Sequence, residues 1–272
     1  MPELNLMTWK EIRNVSDEGA VVVVPVASLE QHGPHLPVQT DTLITSKVVT
    51  AVDQQLQQQG IKCYFAPTLW LGCSPHHLDL FTISLDPDIY SQVLINIGGS
   101  LLSAGFQRIF FLNGHGGNSA PVQVAMNTLA LKSQALIGCG TYWEMAQTAI
   151  RKLRESAPGG LAHACELETS LVQYLLPEAV RPGLAAPCYP KVSSHSTIDM
   201  TESGSIKLGL RFSDLNPDGN LGDPTLASPE KGRCFFGAIV ASVAEQIAEF
   251  SQLSIGNRAI GKKKNDIHCS EE

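Results

Sequence analysis

The chain has 272 residues, of which 43% are hydrophobic and 17% charged, and it carries a net charge of −7. That balance belongs to an ordinary soluble globular protein and excludes a general binder of nucleic acid or anionic membrane, which would need a concentrated basic face. The one basic run, Lys262-Lys263-Lys264, sits in a polar C-terminal stretch and reads as a solvated end.

Residues 3–14, with Trp9 and Ile12 at helical spacing, predict a short helix. The run Val21-Val22-Val23-Val24-Pro25-Val26 predicts a buried parallel strand, because both faces are apolar and β-branched side chains suit a pleat. Ionisable residues follow abruptly in Glu30-Gln31-His32-Gly33-Pro34-His35-Leu36-Pro37-Val38-Gln39-Thr40-Asp41, at the strand's carboxyl edge, where open α/β sheets gather ligand sites. In extended backbone Glu30 and His32 point to one side, a carboxylate and an imidazole suited to a divalent metal. Pro34 and Pro37 oppose helix and let the loop fold back, delivering Asp41 to the same point, where its carboxylate could bridge two ions.

A helix is predicted over 42–59, capped by Gly60, and a second strand over Ile61–Leu71. Beyond it lies Gly72-Cys73-Ser74-Pro75-His76-His77. In a strand these adjacent histidines would face opposite ways, so at most one would face the site; Ser74 and His77 are candidate substrate contacts. A helix over 88–104 and a strand over 108–112 lead into Asn113-Gly114-His115-Gly116-Gly117-Asn118. That turn matches neither the dinucleotide fingerprint nor the phosphate-loop spacing. His115 reads instead as a further metal ligand, with Gly116 close to substrate.

A helix over 119–133 and a strand over Leu136–Tyr142 follow, and Trp143 at that edge is a candidate pocket wall. Ala162–Val172 reads as the start of a helix on which His163 and Glu166 share a face and Glu168 lies well round from Glu166. Residues 180–232, rich in Pro, Gly, Ser and Asp, predict a lid, site wall or subunit contact, before a last helix from about Lys231 to Leu253. Neither a signal peptide nor an apolar run of membrane-spanning length is read, so a cytoplasmic protein is expected. The seven cysteines, without a C-x-x-C pair, read as reduced thiols. The alternation of strands and helices predicts one α/β domain over 1–255, with a mostly parallel central sheet, and a polar tail over 256–272.

Taken together, Glu30-x-His32, Asp41, the Asn113–Asn118 turn, His163-Ala164-x-Glu166-x-Glu168-Thr169-Ser170 and Gly222-Asp223-Pro224 resemble the creatininase (creatinine amidohydrolase) family. The resemblance implies an αβα sandwich, metal-dependent hydrolysis of a non-peptide amide C–N bond in a small molecule (a cyclic amide or a formamide), and a homo-oligomer, often a cyclic homohexamer. It implies Glu30, His32, Asp41, His115 and Glu168 as ligands of a divalent metal, two ions per chain, of which Zn²⁺, Mn²⁺ and Fe²⁺ all suit imidazole with carboxylate. The resemblance places His163 and Glu168 in the catalytic pocket, and His163 and Glu166 are the candidate catalytic groups, with His163, Glu166 or Glu168 able to carry the proton to the leaving nitrogen. Creatininase itself has a glutamate ligand where this chain has Gly117, which turns attention from creatinine to nucleotide-precursor formamides or small peptides. The rivals are a single-metal hydrolase with Glu168 as general base, and an idle metal-binding regulatory protein.

Overall fold

The computed structural model describes residues 4–193, 195–202 and 204–254; the Lys262–Lys264 run, Cys269 and the proposed tail lie outside them. Four parallel strands, β1 (Val21–Val26), β2 (Cys63–Phe65), β3 (Arg108–Asn113) and β4 (Leu136–Thr141), form a sheet in the order β2-β1-β3-β4. The helices are α1 (Trp9–Asp17), α2 (Thr40–Gln58), α3 (Pro87–Ser103), α4 (Ser119–Lys132), α5 (Tyr142–Met145), α6 (Gln147–Leu153), α7 (Glu166–Leu175), α8 (Phe212–Leu215) and α9 (Pro229–Gln252). Two further strands, β5 (Leu161–His163) and β6 (Leu221–Gly222), pair antiparallel apart from the main sheet.

The valine run is the centre of an αβα sandwich. Val21 and Val23 enter a core with Ile44 and Val48 of α2, Leu167 of α7 and Phe235 of α9. Val22 and Val24 enter the opposite core with Leu94 of α3 and Val122 of α4. Burying each such side chain stabilises the fold by roughly 1.5–3 kcal/mol. From β1 the chain moves to β2 on one side and then to β3 on the other, so the strand order reverses between β1 and β3. A crevice opens outside their carboxyl ends.

Several elements differ from expectation. The second strand is three residues long: Ala66 N–H still donates to the Val23 carbonyl at 2.9 Å, but Pro25 of β1 has no N–H to continue the ladder, and the chain meets β1 again at Leu69, opposite Val26. The first helix starts later than predicted, at a capping box between Thr8 and Glu11. His163 is on a strand, not a helix: Ala164 at φ +50° turns the chain, and α7 begins at Glu166. Helix α9 is, by length and composition alone, long and apolar enough to cross a membrane, contrary to the sequence reading, yet Phe235, Ile239, Val243 and Ile247 bury it in the first core.

Candidate metal centre

The site is assembled at the crevice between β1 and β3. Glu30 and His32 follow β1 in bridges to Thr82 and Leu36, and the His32–Leu36 contact is the fold-back that carries the chain into α2. Asp41, in the first turn of α2, then faces two histidines with its two oxygens: Oδ1 lies 3.1 Å from His32 Nε2 and Oδ2 lies 2.9 Å from His115 Nδ1. Glu30 Oε1 lies 3.3 Å from His115 Nδ1 and 3.8 Å from His163 Nδ1. Glu30, His32 and Asp41 form one group able to hold a metal, and His32, His163 and Glu168 another, with ligand atoms within 4.8 Å of one another in each.

The donor chemistry fits metal ions. His32 Nδ1 donates to the Glu30 carbonyl at 3.1 Å, His115 Nε2 to the Cys73 carbonyl at 3.2 Å and His163 Nε2 to the Gln31 carbonyl at 2.7 Å. Each ring is thereby fixed with its other nitrogen facing the carboxylates, the arrangement usual for metal-ligating histidines. Glu30 Oε1 is buried without a hydrogen bond, although ring nitrogens surround it, which suits an oxygen that meets a cation. Among the described residues no lysine or arginine pairs with Glu30, Asp41 or Glu168. Three buried carboxylates therefore rely on the histidines, or on cations, for countercharge.

Electrostatics follow from that crowding. Burial opposes charge on Glu30, but His115 and His77 outweigh it and hold the carboxyl well below the usual range. Burial likewise opposes charge on His32, yet Asp41 carries the ring up to about 9, and Glu30 and Asp41 raise His115 well above its ordinary value. Burial lifts Glu168 to about 7, against the opposing pull of His32. His163 is pushed well below its ordinary value by burial and by the neighbouring His32 and His77. In the metal-free site Glu168 thus titrates near neutral pH while His163 stays neutral.

The remaining expected residues sort by position. Trp143 and Gly116 line a cleft of about 350 Å³ that opens onto Glu30, Asp41, His115 and Glu168. Ser74 does not reach the cleft; it is fully buried, and its hydroxyl meets Ser28 Oγ at 3.0 Å, which in turn donates to Glu30 Oε2 at 2.9 Å. His77 Nε2 lies 3.1 Å from Glu30 Oε1. His76 also faces the site, stacked on His115 at 5.7 Å, because Pro75–His77 is a 3-10 turn rather than a strand; the expectation that at most one of the pair could do so is corrected. Glu166 is corrected too. It points away from the cleft, accepting from Ser156 N at 2.8 Å and from Lys231 Nζ at 2.7 Å, so it moves no proton at the site.

Three contributors escaped the sequence reading. Phe212 of α8 covers the rings of His76, His77 and His163, with centroids at 5.0, 4.5 and 5.1 Å. Gln31 lies behind His77 and His163. His35, buried behind the loop, meets Thr169 Oγ1 at 3.0 Å. The Pro- and Gly-rich region does supply walls, as expected, through Thr197–Met200 and Phe212. At Gly117 a Cβ would fall 2.1 Å from the Cys73 carbonyl oxygen and 2.6 Å from His115 Nε2. No side chain fits there.

The family profile described as "Creatininase: Creatinine amidohydrolase" matches residues 5–247. A mycofactocin precursor peptide peptidase of Mycobacterium tuberculosis is 30% identical over 254 residues, 91% of each chain. A creatinine amidohydrolase of Pseudomonas putida is 28% identical over 189 residues, 64% of this chain and 72% of that one. Among solved structures, a manganese creatininase superposes with a TM-score of 0.75 at 24% identity, covering 92% of this chain and 98% of that one. A mutant creatininase of Zn–Zn type gives 0.75 at 23% identity, covering 93% and 100%.

Proposed function

The chain belongs to the creatininase family, and from that premise we propose that it is a hydrolase that uses two divalent ions, Zn²⁺, Mn²⁺ or Fe²⁺, to cleave a C–N bond in a small amide. The observation that carries this reading is Asp41, whose two carboxylate oxygens face two different histidines as a bridging ligand requires. Glu30, His32, Asp41, His115 and Glu168 would hold the ions, with His163 alongside. A bound divalent ion lowers the pKa of water and polarises a carbonyl oxygen.

The chain's own groups do the rest. His163, kept neutral with its hydrogen on Nε2, offers a bare Nδ1 that takes a proton from the attacking water and returns it to the leaving nitrogen. Glu168, which accepts from the Ala164 N–H, would serve as a carboxylate ligand rather than as a proton carrier. Trp143, Met200 and Phe212 wall the cleft against bulk water.

A short peptide is the second reading of the substrate. Thr197 and Ile198 line both the cleft and a neighbouring cavity of about 500 Å³ bounded by Pro158, Pro190 and Val192, and an extended substrate lying across these two residues would reach from the metal centre into that cavity. The relative that processes a precursor peptide supports the same reading. Creatinine is disfavoured by Gly117, where a glutamate ligand has no space.

Exposed apolar side chains, Trp70, Leu78, Phe81 and Ile83 among them, support a homo-oligomer, for which the family's hexamer is the expected form. The free thiols of Cys63, Cys73, Cys139, Cys165, Cys188 and Cys234 support a cytoplasmic location. The test is elemental analysis of the purified parent, Asp41→Ala and Glu168→Ala, followed by a panel of cyclic amides, formamides and short peptides. About two ions per parent chain, lost in both variants, is the expected result. A parent that takes up neither Zn²⁺ nor Mn²⁺ refutes the reading.

A further inference from the structure

His77 differs from the other buried histidines of the site. His32, His115 and His163 each anchor one ring nitrogen on a backbone carbonyl. His77 instead presents Nδ1 to the side-chain amide nitrogen of Gln31, at 2.8 Å. Which end of that amide is nitrogen is fixed by two backbone groups. Gly33 N–H must donate, and it reaches Gln31 Oε1 at 2.8 Å; the Gly219 carbonyl must accept, and it lies 3.1 Å from Gln31 Nε2. Reversing the amide would set N–H against N–H and oxygen against oxygen.

Hydrogen counting then settles both rings. The amide nitrogen has two hydrogens and three neighbours: the Gly219 carbonyl, His77 Nδ1, and His163 Nε2 at 3.1 Å. His163 Nε2 already carries a hydrogen, given to the Gln31 backbone carbonyl at 2.7 Å, so it accepts nothing from the amide. The two amide hydrogens go to Gly219 and to His77 Nδ1. His77 Nδ1 is therefore bare, and its single hydrogen is on Nε2, the nitrogen 3.1 Å from Glu30 Oε1.

We infer that Gln31 is a positioning residue that keeps the hydrogen of His77 on Nε2, the nitrogen beside Glu30, and so bars that nitrogen from ligating metal, while the backbone of the same residue leaves His163 Nδ1 bare. Glu30, His77 and His163 group closely enough to suggest a third metal position; this hydrogen count removes it. Glu30 itself is held at Oε2 by Ser28 Oγ, at 2.9 Å. The catalytic meaning of the assignment rests on the hydrolase reading above, but the tautomers do not.

The test is long-range ¹H–¹⁵N correlation on protein labelled with ¹⁵N-histidine, metal-free and loaded with Zn²⁺. His77 is expected to carry hydrogen on Nε2 and none on Nδ1 in both states. Hydrogen on His77 Nδ1, or loss of the Nε2 hydrogen when Zn²⁺ is added, overturns the inference. In Gln31→Glu an acceptor replaces the donor, and His77 is expected to invert while His163, held by backbone, keeps its form. Gln31→Met is the second variant, should the first fail to fold. In it His77 loses its single tautomer and Zn²⁺ affinity falls about 10- to 100-fold. An unaltered His77 in folded Gln31→Met overturns the positioning role. If His77 behaves as stated and Zn²⁺ does not bind, the assignment stands and the hydrolase reading fails.

Discussion

Gly117→Ala is the most direct probe of the metal centre's backing. The added methyl would meet the Cys73 carbonyl oxygen at 2.1 Å, His115 Nε2 at 2.6 Å and His76 Cε1 at 2.9 Å, so backbone must move as well as side chain. Overpacking of this kind costs about 1–3 kcal/mol. Separating His115 Nε2 from the Cys73 carbonyl removes a hydrogen bond of 3.2 Å, worth about 1 kcal/mol more. A total of about 2–4 kcal/mol lowers the melting temperature by roughly 5–15 °C for a chain of this size. His115 also loses the partner that orients its Nδ1, so metal affinity is expected to fall about 10- to 100-fold. Thermal unfolding and Zn²⁺ titration by calorimetry measure the two effects. Gly116→Ala is the internal control, since a Cβ there meets nothing within 4 Å. A Gly117→Ala protein that melts with the parent and binds Zn²⁺ equally well would refute the reasoning, and with it the claim that a glutamate ligand is sterically barred.

Chelation by EDTA should destabilise the loaded protein, by about 2.7 kcal/mol if the metal had been at a hundredfold excess over Kd, and a melting curve indifferent to EDTA would contradict a metal centre. Glu166→Gln should leave metal content unchanged while lowering stability by about 2–3 kcal/mol, below the usual cost of breaking a buried ion pair because Lys231 keeps Glu155 and the Leu226 carbonyl. Urea titration separates that outcome from loss of metal, which would restore Glu166 to the site. Burial opposes charge on Glu166, but Lys231 and the Ser156 N–H prevail and hold its pKa below the ordinary 4.5. Its stabilisation is therefore present above that value and lost as pH falls through the lower folded value, so the gap between parent and Glu166→Gln should close in acid.

Much of the site was legible because it depends on local pattern. A strand buried on both faces ends at Glu30, a two-residue offset aims Glu30 and His32 alike, and a glycine turn ends β3 at His115. What stayed hidden depends on distant partners. His163 falls on a strand because Leu161 pairs with Gly222, far along the chain, and helical spacing could not foresee that pairing. The choice between Glu166 and Glu168 is made by Lys231 on α9 and by the Ala164 N–H, which Glu168 accepts at 2.5 Å. Adjacent histidines misled because Pro75 starts a 3-10 turn, in which neighbouring side chains do not alternate. Gln31 carried no signal of its own; its part follows from which backbone groups surround it.

The pairing of β5 with β6 divides the catalytic apparatus into a fixed jaw and a hinged one. Glu30 and His115 follow β1 and β3, and Asp41 is in the first turn of α2, elements packed into the two main cores. His163 is carried by a three-residue strand whose one strand partner is a two-residue piece at the end of the irregular region. That region also supplies Phe212, which caps the histidines. Loosening it would act together on His163, on the Ala164 N–H that holds Glu168, and on the Phe212 roof of the cleft. The β5–β6 pair thus ties His163, and Glu168 just beyond it, to the irregular region, while Glu30, Asp41 and His115 are carried by the ends of β1 and β3 and by α2.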